Sequence, residues 1–390
     1  MSHSTLARVT AKYNDRACLK WHNLRLTRRH SQRHIGRPNF ASKGLVIVQM
    51  VRHSLKQVRN SLFAAIALLK IKLNSSPSLV ILTYHRILPG QSPLRQTEQP
   101  GMIATPEALD MHISLLKRLG AEFVSLDTWL DAQRENKALP RLAVAVTFDD
   151  GWQDNYEHAF PVLKKHKVPA TIFLVSKRIN TPWQFWPEQV LDLLISHAHQ
   201  LDHEALRWLR PYLCGMPANT NPSSPYTILQ ADSVINRLKA LDDHTIETNL
   251  EQTRNALPAL NQANLNARPL LNQQELNTML ASGLVTFGAH TRHHYRLNHL
   301  ADPSDLENEI AGSRKDLEEL GLKPVSIFCY PNGDITGKGE QLVQGHFTAA
   351  CTTERGWNKA PINPFTLRRF NFHDGNGSTP LSFLASLGRP

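Results

Sequence analysis

Ala143-Val-Ala-Val-Thr-Phe-Asp-Asp-Gly151 is the stretch on which the reading of this chain turns. Small and β-branched residues lead into two adjacent carboxylates and a glycine, the pattern of a buried strand that ends in a tight turn. Consecutive side chains of a strand point to opposite faces, but at its end the backbone can turn far enough to aim both Asp149 and Asp150 into one cleft. Taken alone, Asp-Asp-Gly is also how an ordinary polar loop begins. A second group of residues about 140 positions downstream changes that balance.

On either side of this strand the chain alternates. Leu79 to His85 is an apolar run with a polar end, and Pro106 to Gly120 is a helix with Thr105 as N-cap and Gly120 after its end. Further strands are expected at 122–126, 170–175, 284–289, 325–329 and 347–352, with helices at 126–136, 156–166 and 305–320. Strands separated by helices pair in parallel through right-handed crossovers. About seven such units suit an α/β fold of the distorted (β/α)7-barrel type, in which chemistry gathers at the carboxyl ends of the strands. The segment 177–271 interrupts this rhythm as a polar, mostly helical insertion, broken by a Pro/Asn/Ser-rich stretch at 216–225. Trp183, Phe185, Trp186, Trp208 and Tyr212 gather near its beginning, either to anchor the insertion or to stack on sugar rings.

Composition narrows the function classes. The chain is 41% hydrophobic and 20% charged, as ordinary globular proteins are. Its net charge of +11 is unevenly placed: residues 1–80 hold 15 Lys and Arg against the single acid Asp15, and the rest holds 29 basic against 32 acidic residues. The globular part is nearly neutral, which argues against a nucleic-acid-binding enzyme domain. Four widely spaced cysteines with no C-x-x-C pair indicate neither a disulfide framework nor a zinc ribbon, and they read as reduced thiols.

Residues 1–78 form a basic extension, with the first 43 read as largely disordered. Val51, Leu55, Val58, Leu62, Ile66, Leu69 and Leu73 recur at helical spacing, giving a basic amphipathic helix over about 44–73. Its uninterrupted apolar core, Leu62 to Leu69, is far shorter than the roughly 20 residues needed to cross a bilayer. Such a helix can lie on an anionic membrane surface or pack on the catalytic domain. A start at Met50 would resemble a weak signal sequence, but no small-x-small cleavage site follows. The expected location is therefore the cytoplasm or the cytoplasmic face of the inner membrane, with export left open. Residues 79–390 form the catalytic domain.

The downstream group is Phe287-Gly-Ala-His-Thr-Arg-His-His294, at the end of another strand. If the chain turns helical after Ala289, His290 and His294 share one face, a common metal-ligand arrangement. With the Asp pair they supply one carboxylate and two imidazoles, leave a coordination position for water, and keep the other Asp as a base.

At this point the chain resembles a family. Thr147-Phe-Asp-Asp-Gly151 is similar to the first motif of the polysaccharide deacetylases (the NodB-homology or carbohydrate esterase family 4 enzymes), and His290-Thr-Arg-His-His294 to their second. Phe328-Cys-Tyr-Pro-Asn-Gly333 resembles the third, and Leu82-Thr-Tyr-His-Arg-Ile87 the opening strand of many members. The likeness spans about residues 79–375, with the insertion poorly matched. It implies a NodB-like barrel and a divalent metal, usually zinc with such ligands, held by Asp150, His290 and His294, with Asp149 as general base. A metal in such a site lowers the pKa of water towards about 7 and polarises the acetyl carbonyl.

Three departures accompany the resemblance. Cys329 stands where many members place an Arg that orients the base, and Arg369, or else Arg368, is the candidate substitute. Asn332 replaces the third motif's final aromatic, leaving a backbone N–H as the donor there. The late Leu-x-His motif that supplies the general acid is absent; His85, at the first strand's end, takes that role by resemblance to the poly-N-acetylglucosamine deacetylases, with His373 as second candidate. The implied activity is removal of acetyl groups from N-acetylated sugars of a bacterial surface polysaccharide or its precursor. The alternatives are an amidase on a non-sugar substrate and a non-catalytic carbohydrate-binding or assembly protein on the same fold.

Overall fold

The structure, a computed structural model, describes residues 40–214, 226–261 and 269–390. The expectation of disorder near the N-terminus and the break at 216–225 lie outside the described residues. Helix α1 (Phe40–Leu73) begins four residues before the expected position. Among the described residues no helix is long and apolar enough to cross a membrane.

The architecture is a curled parallel sheet wrapped by helices. Its central strands are β1 (Ser78–Tyr84) and β3 (Leu142–Phe148), and every residue of both is buried. Strands covered on both faces read as unbroken apolar runs, and that is how these two read in the sequence. They pair in parallel over seven residues, from Ser78 beside Leu142 to Tyr84 beside Phe148. One step further, this register sets His85 next to Asp149.

The sheet continues from β3 through β4 (Ala170–Leu174), β5 (Val285–Ala289), β6 (Ile327–Cys329) and β7 (Ala349–Cys351), all parallel. Helices at Pro106–Arg118 (α2), Phe160–His166 (α3), Gln273–Ala281 (α4) and Pro303–Glu319 (α5) connect the strands. Thr105 accepts from the Ala108 N–H and caps α2, and Asn272 with Glu275 forms a capping box on α4.

The expected strand at 122–126 is only β2 (Glu122–Phe123), alongside the first half of β3. The seventh stave lies elsewhere. The segment from Leu367 to Asn371 bridges β7 at Leu367 and pairs with β1 through β9 (Phe370–Asn371), after β8 (Asn358–Lys359) has met β1 antiparallel. This segment spans the gap between the sheet's two edges and makes the distorted seven-stranded barrel. Its short length and two arginines hid it from a search for apolar runs.

The insertion carries its own core, in which Val190, Leu194, Leu206, Val234, Ile235 and Ile246 are buried together. Arg296, just past the histidine motif, ties the insertion to the barrel: its backbone N–H and guanidinium donate to Asp243, and its terminal nitrogens donate to the carbonyls of Lys239 and Leu241. Trp186 and Trp208 donate their indole N–H to Asp243 and Thr253, so both aromatics serve the insertion's packing. Cys329 and Cys351 are free and buried, as the sequence led us to expect of reduced thiols.

Candidate active site

Strand register converges the sequence motifs on one end of the barrel. Asp149 is still in the ladder, its N–H donating to the Tyr84 carbonyl, and the chain then turns left-handed at Asp150 (φ 73°) and Gly151 (φ 78°). A Cβ on Gly151 would come within 2.7 Å of Leu174, so this corner needs glycine. The turn brings both carboxylates to the floor of a cleft of about 450 Å³, whose lining also includes His85, His290, His294, Asn332 and Arg369.

The two carboxylates meet different surroundings. Asp150 accepts from the Trp152 indole N–H at 2.9 Å through Oδ2. Its other oxygen, Oδ1, is buried with no hydrogen-bond partner among the described residues and lies 3.4 Å from Nε2 of both His290 and His294. The His290 ring is oriented by a 2.7 Å hydrogen bond between Nδ1 and the Cys329 carbonyl, in which the nitrogen must donate. Burial pushes His294 down to about 4, which leaves it neutral near pH 7. Although burial disfavours a charged carboxylate, the two imidazoles hold Asp150 well below the ordinary range.

These three side chains each offer a ligand atom, all within 4.8 Å of one another. An orphaned carboxylate oxygen facing two ring nitrogens is a donor set that fits a divalent ion. Asp149, His290 and Cys329 also lie close enough together to form a set. That group fits less well, because both oxygens of Asp149 are already engaged.

They are engaged by Arg369. Its Nη1 and Nη2 donate to the two oxygens of Asp149 at 2.7 and 2.8 Å, and its Nε donates to the Thr352 carbonyl. Burial works to raise the Asp149 pKa, and the guanidinium outweighs it and keeps the carboxylate below its ordinary value. Arg368 points elsewhere and pairs with Glu354 at 3.4 Å. Cys329, in the position expected of an Arg, places its thiol 3.7 Å from Asp149.

His85 has Nε2 3.9 Å from Asp149 Oδ2, and its Nδ1 is buried without a partner among the described residues. The second candidate, His373, caps a turn by accepting from the Gly375 N–H and does not line the cleft. His293 turns away and engages Glu309 at 2.5 Å.

The expected helical turn after Ala289 does not form. Thr291 (φ 60°) and His294 (φ 67°) are left-handed, and the Thr291 hydroxyl accepts from the His294 N–H at 2.9 Å. A hydroxyl-locked loop, and not a helix face, therefore brings the two imidazoles together. The role of Trp152 as a hydrogen-bond donor to Asp150 was not foreseen in the sequence. Trp152 comes two residues after Asp150, just past Gly151, and that position was the signal available in the sequence. The cleft's outer wall comes from the insertion, with Phe185 packed edge-on to His294, the buried Glu188 in the lining, and Asp232, Asn236 and Lys239 beside it.

Comparison with known proteins agrees with this geometry. A family model described as polysaccharide deacetylase matches residues 136–267 and 242–346. YxkH of Bacillus subtilis is 30% identical over 145 residues, 36% of this chain and 49% of that protein. The poly-β-1,6-N-acetyl-D-glucosamine N-deacetylase of Staphylococcus epidermidis is 32% identical over 120 residues, 29% of this chain and 40% of that enzyme. The chain thus spans half or less of the length of these curated relatives. In fold it is similar to the Streptococcus pyogenes deacetylase PplD in complex with acetate (TM-score 0.51, 18% identity, 81% of this chain and 100% of that one). It is likewise similar to IcaB from Ammonifex degensii (TM-score 0.50, 20% identity, 80% and 97%).

Proposed function

This chain belongs to the polysaccharide deacetylase family, and from that premise we propose that it is a metal-dependent hydrolase removing acetyl groups from N-acetylated amino sugars of a surface polysaccharide or its precursor. The observation that carries this reading is the division of labour between adjacent carboxylates. Asp150 keeps one oxygen free between two imidazoles, and Asp149 has both oxygens held by Arg369.

In this reading Asp150, His290 and His294 hold a divalent ion, for which zinc suits the one-carboxylate, two-imidazole set. Such an ion supplies Lewis-acid polarisation of the amide carbonyl and makes water more acidic. Asp149 accepts the proton of the attacking water as the new C–O bond forms. Arg369 keeps Asp149 ionised and oriented. His85, whose Nε2 lies 3.9 Å from Asp149, passes a proton to the departing amine nitrogen as the C–N bond breaks. The polar rim contributed by Asp232, Asn236 and Lys239 is placed to meet sugars flanking the reacting one. The relatives named for poly-β-1,6-N-acetyl-D-glucosamine support an N-acetylglucosamine polymer as substrate.

Acetate release from β-1,6-linked N-acetylglucosamine oligomers tests the proposal. Purified protein should release acetate, lose that activity with a chelator, and regain it with about one equivalent of zinc or a similar ion. Activity indifferent to chelation would remove the metal from the mechanism, and sugar binding without acetate release would make the protein a binder.

A further inference from the structure

Helix α1 packs on the barrel with the face that the sequence pattern did not single out. Asn60, Ala64, Ala67 and Ile71, spaced four, three and four apart, are the buried positions. They sit against the last helix, Pro380–Gly388, so closely that a Cβ on Gly388 would lie 1.8 Å from the Phe63 carbonyl oxygen. The opposite stripe remains in solvent: Leu55, Val58, Leu62, Leu69 and Leu73 are 64, 69, 60, 54 and 71% exposed. At 100° per residue these five fall within about 60° of the helix surface. Arg59 and Lys70 flank this arc on one side and Lys72 on the other, and α1 contains no acidic residue. A surface this apolar, with five large side chains in line, is not a usual solvent face.

A second feature lies beside it. A groove of about 610 Å³ runs along the carboxyl half of α1, walled by Leu69, Leu73 and Trp357 and rimmed by Lys70, Lys359 and Arg368. It borders the amino ends of the strands, where Lys359 pairs with Ser78, the end of the barrel opposite the cleft. Apolar walls under a cationic rim fit a molecule with a hydrocarbon part and an anionic head. Charge argues against the two occupants closest to hand. A second copy would bring the same cations to the same rim. Residues 1–39 carry nine Lys and Arg against Asp15 and would be repelled likewise.

We infer that the outer face of α1 and its adjoining groove dock the protein on the surface of an anionic phospholipid bilayer, with the leucine stripe entering the acyl boundary and the cations meeting headgroups. Docked by this end of the barrel, the cleft faces away from the lipid and stays open to polymer.

Sedimentation of the full chain with vesicles tests this independently of catalysis. Wild type should bind vesicles containing phosphatidylglycerol, bind pure phosphatidylcholine at least tenfold more weakly, and dissociate as salt rises. The variant Leu62→Ser/Leu69→Ser/Leu73→Ser alters only exposed positions; it should keep the wild-type circular dichroism and acetate release while losing at least tenfold in vesicle binding. Absence of wild-type binding would overturn the proposal. Binding unchanged by the triple variant would also overturn it and assign the affinity to residues 1–39. A wild-type dimer that the triple variant turns into a monomer would give the face to a second copy.

Discussion

Asp149 and Asp150 are covalent neighbours, yet the two sides of the cleft that they serve are built in different ways. Asp150 finds its partners in two short motifs: Trp152 is two residues away, and both imidazoles come from one five-residue loop about 140 residues downstream, on a strand two places along the sheet. Asp149 depends on Arg369, 220 residues downstream, on the segment that closes the barrel. The proposed metal side is thus a pair of short motifs, and the proposed base side is a consequence of closure. One can be recognised by spacing, whereas the other exists only once the sheet's edges meet.

Exchanging the Asp residues one at a time should break the comparison most sharply. Asp150→Asn should lose bound metal and about 10⁴-fold in acetate release, because several kcal/mol of transition-state stabilisation goes with the ion. Asp149→Asn should keep its metal and lose about 10³-fold, the usual worth of a positioned base. Metal content measured beside turnover separates them; equal metal loss in both variants would mean that the two carboxylates share one role.

Arg369→Gln probes the base side alone. Arg369 and Asp149 are both buried, and removing the guanidinium leaves burial free to raise the Asp149 pKa. The base must be ionised to work, so the acidic limb of kcat/KM against pH should move to higher pH, with metal content unchanged. An uncompensated buried carboxylate also costs about 3–5 kcal/mol of stability at neutral pH. The sign of that linkage is fixed: a depressed carboxylate stabilises above its unfolded pKa and loses that contribution as pH falls through the folded one. In Arg369→Gln, where burial holds the Asp149 pKa above its unfolded value, this acid-side loss should disappear, and the variant's stability deficit relative to wild type should shrink as pH falls and the carboxylate takes up a proton.

On the metal side the matching change is Trp152→Phe, which keeps a buried aromatic and removes the hydrogen bond to Asp150 Oδ2. It should weaken metal binding about 10- to 100-fold and leave the pH limb where it is. Zinc titration beside a pH–rate profile distinguishes it from Arg369→Gln.

The Asp-Asp-Gly and His-x-x-x-His motifs and six of the seven staves could be read from the sequence because each is local. A buried parallel strand is an apolar run, and Asp-Asp-Gly and His-x-x-x-His are short enough to recognise. The residue spacing of the histidines was legible, but its cause was not: Thr291 and His294 adopt left-handed backbone angles that no pattern of side chains announces. Helix α1 shows the same limit. Its large apolar residues were the visible stripe, and packing chose the small ones, because only Asn60, Ala64 and Ala67 let another helix approach its backbone so closely.

By itself, then, the sequence determined the alternating α/β order, the two carboxylates at a strand end and the paired histidines, since each depends on residues near one another in the chain. The tertiary structure alone decided which arginine meets Asp149, which histidine enters the cleft and which face of α1 is left to solvent. Those outcomes depend on how the last staves close the barrel and on which surfaces can approach most closely, and both are properties of distances between segments far apart in the chain.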